Sequence, residues 1–149
     1  MPQWPKAALT ANQILISGTP DYLEAEVGAN ATAAKMLPGI FVIHDTTDGD
    51  VKEAGAQAEN ALGVIDVAAD KKLTDNYAVG EQMRIINGPG CKVKLKLKGG
   101  ENVAPGDQLQ VGADGKVVKK GTGSGMVVAQ ALESSNVTAD AWIAAKLLI

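Results

Sequence analysis

The stretch Asp48-Gly49-Asp50-Val51-Lys52 recurs 66 residues later as Asp114-Gly115-Lys116-Val117-Val118, and the fold is read from that pair. Asp-Gly supplies the positive φ angles that a tight hairpin needs, so each copy reads as a turn between two short strands. Working outward, Pro38-Gly39 is matched by Pro105-Gly106, and Ala61-Leu62-Gly63-Val64 falls on Val127-Val128-Ala129-Gln130. With a small gap, Met83-Arg84-Ile85-Ile86 falls on Ala145-Lys146-Leu147-Leu148. Both halves run strand, Asp-Gly hairpin, strand, loop, strand, loop, strand. An internal repeat of this kind is a duplicated unit. Two copies closing on one another would hide their sheet edges.

Between the repeated marks the chain reads as β. Ile40–Ile43 is a compact β-branched and aromatic run, followed by apolar runs at 62–67, 79–86, 93–97, 108–111, 116–118, 126–132 and 141–149. Gly, Pro, Asn or Asp separates most of them, the pattern of a barrel or sandwich. Residues 1–20 read as an extended N-terminal arm bracketed by Pro2, Pro5 and Pro20, with Ile14-Leu15-Ile16 its one strand-like run. Residues 21–37 stay open: Leu23, Ala25 and Val27 alternate with Glu24 and Glu26 as on a strand, while the Ala-rich 29–36 also suits a helical turn. The expected architecture is therefore all-β, with an arm at 1–20 and a single small β-barrel domain at 21–149. Pseudo-repeats at about 38–86 and 105–149 build that barrel.

Composition narrows the function. The 149 residues are 46% apolar, enough for a real interior, but carry one His and one Cys. Histidine-rich metal centres, zinc knuckles and disulfide frameworks cannot be made from that inventory. The first residues lack a basic start followed by an apolar core, and no apolar run approaches a membrane span, so synthesis in a cytoplasm and no membrane partner are expected. His44 ends the Ile40–Ile43 run beside Asp45, Thr46 and Thr47; a general base there would need a nucleophile or water close by, and a strand-end His tied to a turn is the simpler reading. Asp45–Asp50 superficially resembles a calcium loop. Position twelve is Ala56, though, so it reads as an Asx-type turn. Cys91 beside Lys92 has no His or acid at catalytic spacing. Gly121–Gly125 lacks the following Lys of a phosphate loop and reads as a flexible loop. No catalytic, cofactor-binding or metal residue is assigned, no cofactor and no small-molecule substrate are expected, and the chain does not read as an enzyme.

What remains points to contact. Lys92, Lys94, Lys96 and Lys98 alternate with Val93, Leu95 and Leu97, giving one basic and one apolar face. The basic face reads either as a solvated face guarding a strand edge or as a patch for an acidic partner. Residues 1–75 hold 5 basic and 11 acidic groups while 76–149 hold 9 and 6, a polarity that suits head-to-tail docking of neighbouring copies. Nucleic acid is not expected, because no aromatic side chains interleave with the lysines. Trp4 lies between Pro2 and Pro5 with no strand to bury it; it anchors either in a partner's groove or back on its own barrel.

One resemblance runs through these motifs. Pro105-Gly106-Asp107-Gln108-Leu109, Ala113-Asp114-Gly115-Lys116-Val117, Val127–Glu133 and the apolar Ile143–Ile149 resemble the small decoration or cement proteins of tailed-bacteriophage heads. The upstream Gly18–Gly28, Pro38-Gly39 and Asp45–Asp48 fit the same group, so the likeness covers about residue 17 to the end. It implies a β-barrel or tulip-like domain, commonly a homotrimer, bound to the major capsid protein outside a mature icosahedral shell and holding it against internal genome pressure. The implied location is the virion exterior. The group has no catalytic residues to carry over. Its shell contacts are not a motif, so Pro2, Trp4, Pro5 and the four lysines at 92, 94, 96 and 98 are named as shell or subunit contacts from their chemistry alone. A tail-fibre, baseplate or cell-surface β-module at low copy number is the alternative.

Overall fold

A computed structural model describes residues 11–149. Among the described residues run thirteen strands: β1 Leu15–Ser17, β2 Asp21–Val27, β3 Phe41–His44, β4 Asp50–Glu53, β5 Gly63–Ile65, β6 Gln82–Asn87, β7 Lys92–Leu97, β8 Asn102–Val103, β9 Gln108–Val111, β10 Val117–Lys119, β11 Val127–Ala131, β12 Ser135–Asn136 and β13 Ala141–Leu147. Among the described residues the only helical pieces are single 3₁₀ turns at Ala33–Lys35 and Ala113–Gly115. Both open readings of 21–37 are thereby resolved. The Leu23/Ala25/Val27 alternation is a strand, and the Ala-rich run is the turn.

The all-β barrel expectation holds, but the chain closes twice where a single shared barrel was expected. Strands β2-β4-β3-β5-β6 form one closed ring. Strands β7-β10-β9-β11-β13 form a second, because β13 returns to pair with β7. The missing strand explains the difference. β2 and β7 lie upstream of Pro38 and Pro105, outside the visible repeat, and each completes its own ring by a six-residue antiparallel ladder with the last strand of its half. Five strands let each half close into a ring, although in the first the β2–β4 closure spans only Glu26 and Val27.

The two rings share one topology. First and third strands are parallel, Val27 beside Val51 in one ring and Leu97 beside Val117 in the other. All other neighbours within each ring are antiparallel. Single backbone bonds repeat too: Gly28 N–H to Val51 O is matched by Lys98 to Val117, Gly39 to Ile65 by Gly106 to Ala131, and Asp66 to Arg84 by Leu132 to Ala144. The register sets up equivalences that the sequence conceals, Glu24 with Lys94 and Glu26 with Lys96.

The first barrel is filled by Val27, Ile40, Val42, Val51, Ile65, Met83 and Ile85, with Met36 and Tyr77 plugging it. The Tyr77 hydroxyl donates to Asp66 O at 2.9 Å and accepts from Ala68 N at 3.1 Å, which pins the long β5–β6 loop. The second barrel packs Val93, Leu95, Leu97, Leu109, Val111, Ile143 and Leu147. Phe41, Ala54, Val64 and Ile86 from the first barrel join that same cluster. Burying each of the larger three is worth about 1.5–3 kcal/mol, so the barrels are fastened side by side rather than merely tethered.

Equivalent glycines test the duplication. Gly39 and Gly106 have φ of +89° and +91°, but a Cβ on Gly39 would lie 2.3 Å from the Trp142 ring while one on Gly106 meets nothing within 4 Å. Both Ala variants carry the left-handed penalty of about 1–2 kcal/mol, and Gly39→Ala adds about 1–3 kcal/mol of overpacking. Denaturant melts should therefore rank Gly39→Ala clearly below Gly106→Ala. Equal losses would disprove the packing difference.

Candidate interaction surfaces

The lysine strand lies at the seam between the barrels. Lys92, Lys94 and Lys96 share the outer face of β7, opposite Lys146, Ala144 and Trp142 of β13 in register. Alternation alone leaves open what covers that face. Here the first barrel's Pro38-Gly39 turn does so: Gly39 O accepts from Lys96 N–H at 3.1 Å, and the Gly39 backbone abuts the Trp142 ring. Lys96 Nζ sits 4.6 Å from the Trp142 ring centroid and Lys94 Nζ 5.9 Å.

The four expected contact lysines therefore have different environments. Lys94 is fully buried, and its ammonium donates to Ala11 O. Burial drives its pKa below the ordinary lysine value. A side chain closed in this way does not present its charge to an outside partner, and Lys94 is withdrawn from the contact set. Lys92 and Lys96 are half-buried, and Lys98 is exposed. Pro2, Trp4 and Pro5 lie outside the described residues.

Beside this seam lies a groove of about 270 Å³, lined by Leu37, Pro38 and Ile40 of the first barrel, Trp142 of the second, and Leu73. Ion pairs close its rim, Lys35 to Asp114 at 2.8 Å and Lys116 to Asp140 at 2.7 Å. The chain enters next to it: Asn12 accepts from Leu73 N at 3.0 Å and donates to Lys71 O at 2.8 Å, while Ile14 O accepts from Lys94 N. Leu15–Ser17 then pairs antiparallel with the start of β7. Residues 11–17 thus act as an edge cover for the second barrel, a role the sequence shows only as the short apolar run 14–16.

The other singled-out residues are structural. His44 is exposed at the end of β3, opposite Val51. Asp45 accepts from Asn30 N at 2.9 Å, Asn30 Nδ2 at 2.8 Å and Thr46 N at 2.8 Å, so its carboxylate fastens the β2–β3 connection to the hairpin. Among the described residues no group of three or more His, Cys, Asp or Glu is placed to hold a metal ion. Cys91 is buried, and burial pushes its thiol pKa up despite the adjacent Lys92, the opposite of an activated nucleophile. The Gly121–Gly125 loop packs on the first barrel through Ser124 and Gln57. Nothing in the sequence marks the role of Trp142, whose place in β13 sets it on the outer face with Ala144 and Lys146, opposite the core-facing Ile143, Ala145 and Leu147.

No family model matches the chain, and no curated protein matches it. Among solved structures it is similar to the N base of the head fiber gp8.5 of bacteriophage phi29, with a TM-score of 0.52 and 15% identity. The match covers 88% of this chain and 99% of that one. At this identity the likeness is one of fold.

Two outcomes follow for the seam. Trp142→Ala should lower stability by about 2–4 kcal/mol, a large aromatic truncation at a partly buried site, whereas Lys96→Met, at a half-buried cation–π contact whose stem a methionine still covers, should cost no more than about 1 kcal/mol; chemical denaturation separates them, and the reverse order would make the seam electrostatic. Acid stability is the second. Lys116 beside Asp140, the Ala104 N–H at Asp107, the Ala78 N–H at Glu81 and the Asn30 amide at Asp45 each hold a carboxyl below its usual range. Groups lowered by folding stabilise fully above their unfolded pKa, about 4, and lose that contribution as pH falls through the folded values. The melting temperature should therefore hold from pH 7 to about 5 and drop below about 4, less steeply in Asp140→Asn.

Proposed function

We propose that this protein is a structural component of a tailed-phage head, a decoration or cement protein that binds the outside of the mature shell and reinforces it. The observation that carries the proposal is the double barrel itself. Its fold is similar to a phage head-fiber base over nearly the whole of that base, and the turn motifs of 105–133 independently resemble head decoration proteins. The major capsid protein is the proposed partner and a homotrimer the proposed assembly.

The physics of such a role needs no catalytic centre. Each contact is weak, but it is repeated at every symmetric position, and oligomerisation raises the effective concentration of the next contact. Binding only the expanded shell stabilises that state by linkage. Lys92, Lys96 and Lys98, with Pro2, Trp4 and Pro5 of the N-terminal arm, are the proposed contact residues.

Quantitative mass spectrometry of gradient-purified particles tests this reading. A copy number comparable to the major shell protein is expected, a low copy number would move the protein to the tail or baseplate, and absence would overturn the proposal. Deleting residues 1–10 should leave both barrels folded and weaken head binding at least about thirtyfold, the ~2 kcal/mol of an interface hot spot. Unchanged binding would remove the arm from the contact.

A further inference from the structure

The two barrels are alike in topology, but among the described residues only one has its first strand covered along its length. In the second barrel, the β7 edge is closed along its length: Leu15–Ser17 pairs with its start, Ile14 O takes the Lys94 N–H, Gly39 O the Lys96 N–H, and β10 pairs at Leu97. In the first barrel, β4 pairs only with Glu26 and Val27, and Gly49 O takes the Glu26 N–H. Nothing among the described residues pairs with Asp21–Glu24 on that edge, and all four are exposed. Odd-numbered residues of β2 bond toward β6, as Val27 N–H to Glu81 O shows. Tyr22 and Glu24 therefore direct their N–H and C=O groups to the open side.

We infer that this open β2 edge is a strand-acceptor site for an extended, cationic segment of a partner protein, which adds as a sixth strand beside Tyr22 and Glu24. The equivalent edge in the same molecule already holds an added strand, uncharged and three residues long, so β1 on β7 demonstrates the backbone geometry of acceptance. Charge selects the occupant. Glu24 and Glu26 project from the outer face, and a shallow depression of about 420 Å³ beside them is lined also by Asp48 and Asp50. Arg84, a cation on that face, is paired with Asp66 at 3.1 Å and stacked over the Tyr22 ring at 4.4 Å. A segment with Lys or Arg at alternate positions would place its cations along the glutamates and its backbone on the edge, the two parts of β-strand addition. Tyr22 on the glutamate face and Leu23 on the opposite one, 46% and 39% exposed, offer apolar contact to the two faces of an added strand.

The competing account is that the glutamates guard the edge against any pairing. Amide-resolved NMR on the full chain separates the two, using a synthetic eight-residue peptide of alternating Lys and Val and a Glu–Val peptide as control. The Lys–Val peptide is expected to slow hydrogen exchange of the Tyr22 and Glu24 amides at least tenfold while leaving the β7 amides unchanged. Glu24→Lys should weaken its binding at least tenfold, and high salt should weaken it on the unaltered protein, which keeps the test valid if the variant fails to fold. Protection by neither peptide, by both alike, or at other residues would overturn the inference. So would protection that grows with protein concentration alone, which would place a second copy on the edge. None of these outcomes depends on whether the protein resides on a phage head.

Discussion

Everything in this molecule depends on the pairing of the first strand of each half with its last. A five-stranded sheet of short strands exposes two rows of unpaired backbone groups, and with five aromatic side chains in the whole sequence the core has few large residues to offset that cost. The β2–β6 and β7–β13 ladders reduce the problem by closing each sheet on itself, leaving the start of β2 unpaired on its β4 side among the described residues. Once closed, each ring has an inside that Val, Ile and Leu can fill, and an outside that is free to specialise.

How much of this is legible in the sequence follows from what marks each element. Asp-Gly, Pro-Gly and the β-branched runs carry their own local reasons, so most strands and the duplication are readable, except that the match of the last strand slips by two residues: Arg84 answers Ala144 rather than Lys146. The closing strands are not. β2 alternates glutamates with small apolar residues, β7 alternates lysines with aliphatics, and nothing in their chemistry reveals that they occupy the same place in two copies of one fold. A single shared barrel is the natural reading when the first strand of each repeat is invisible.

The candidate surface was legible to a smaller degree for a related reason. Period-two alternation tells which side chains share a face, but not whether that face meets solvent, a partner or the rest of the chain. On β7 it meets the first barrel. Lys94 is sealed beneath residue 11 and Lys96 lies on Trp142, whereas Lys98, one residue beyond the strand, reaches solvent. The aromatic that organises this seam lies 46 positions from Lys96, and only the β7–β13 register brings them together.

The duplication also explains why the two halves carry opposite charge. Equivalent positions on the outer face of the first strand hold Glu24 and Glu26 in one barrel and Lys94 and Lys96 in the other. Two identical copies would have presented identical faces to each other, with like charges or identical edges in competition. Divergence removed that symmetry: the second barrel's first-strand face accepted the Pro38-Gly39 turn and the chain entering at residue 11, and became the internal seam. The first barrel's copy of the same face has no such occupant among the described residues, and a Cβ on Gly106, the counterpart of Gly39, would meet open space. A duplicated unit joined once has one used face and one spare of each kind. Among the described residues the uncovered faces are the acidic β2 face of one barrel and the Gly106 turn of the other, so they differ in charge and in shape.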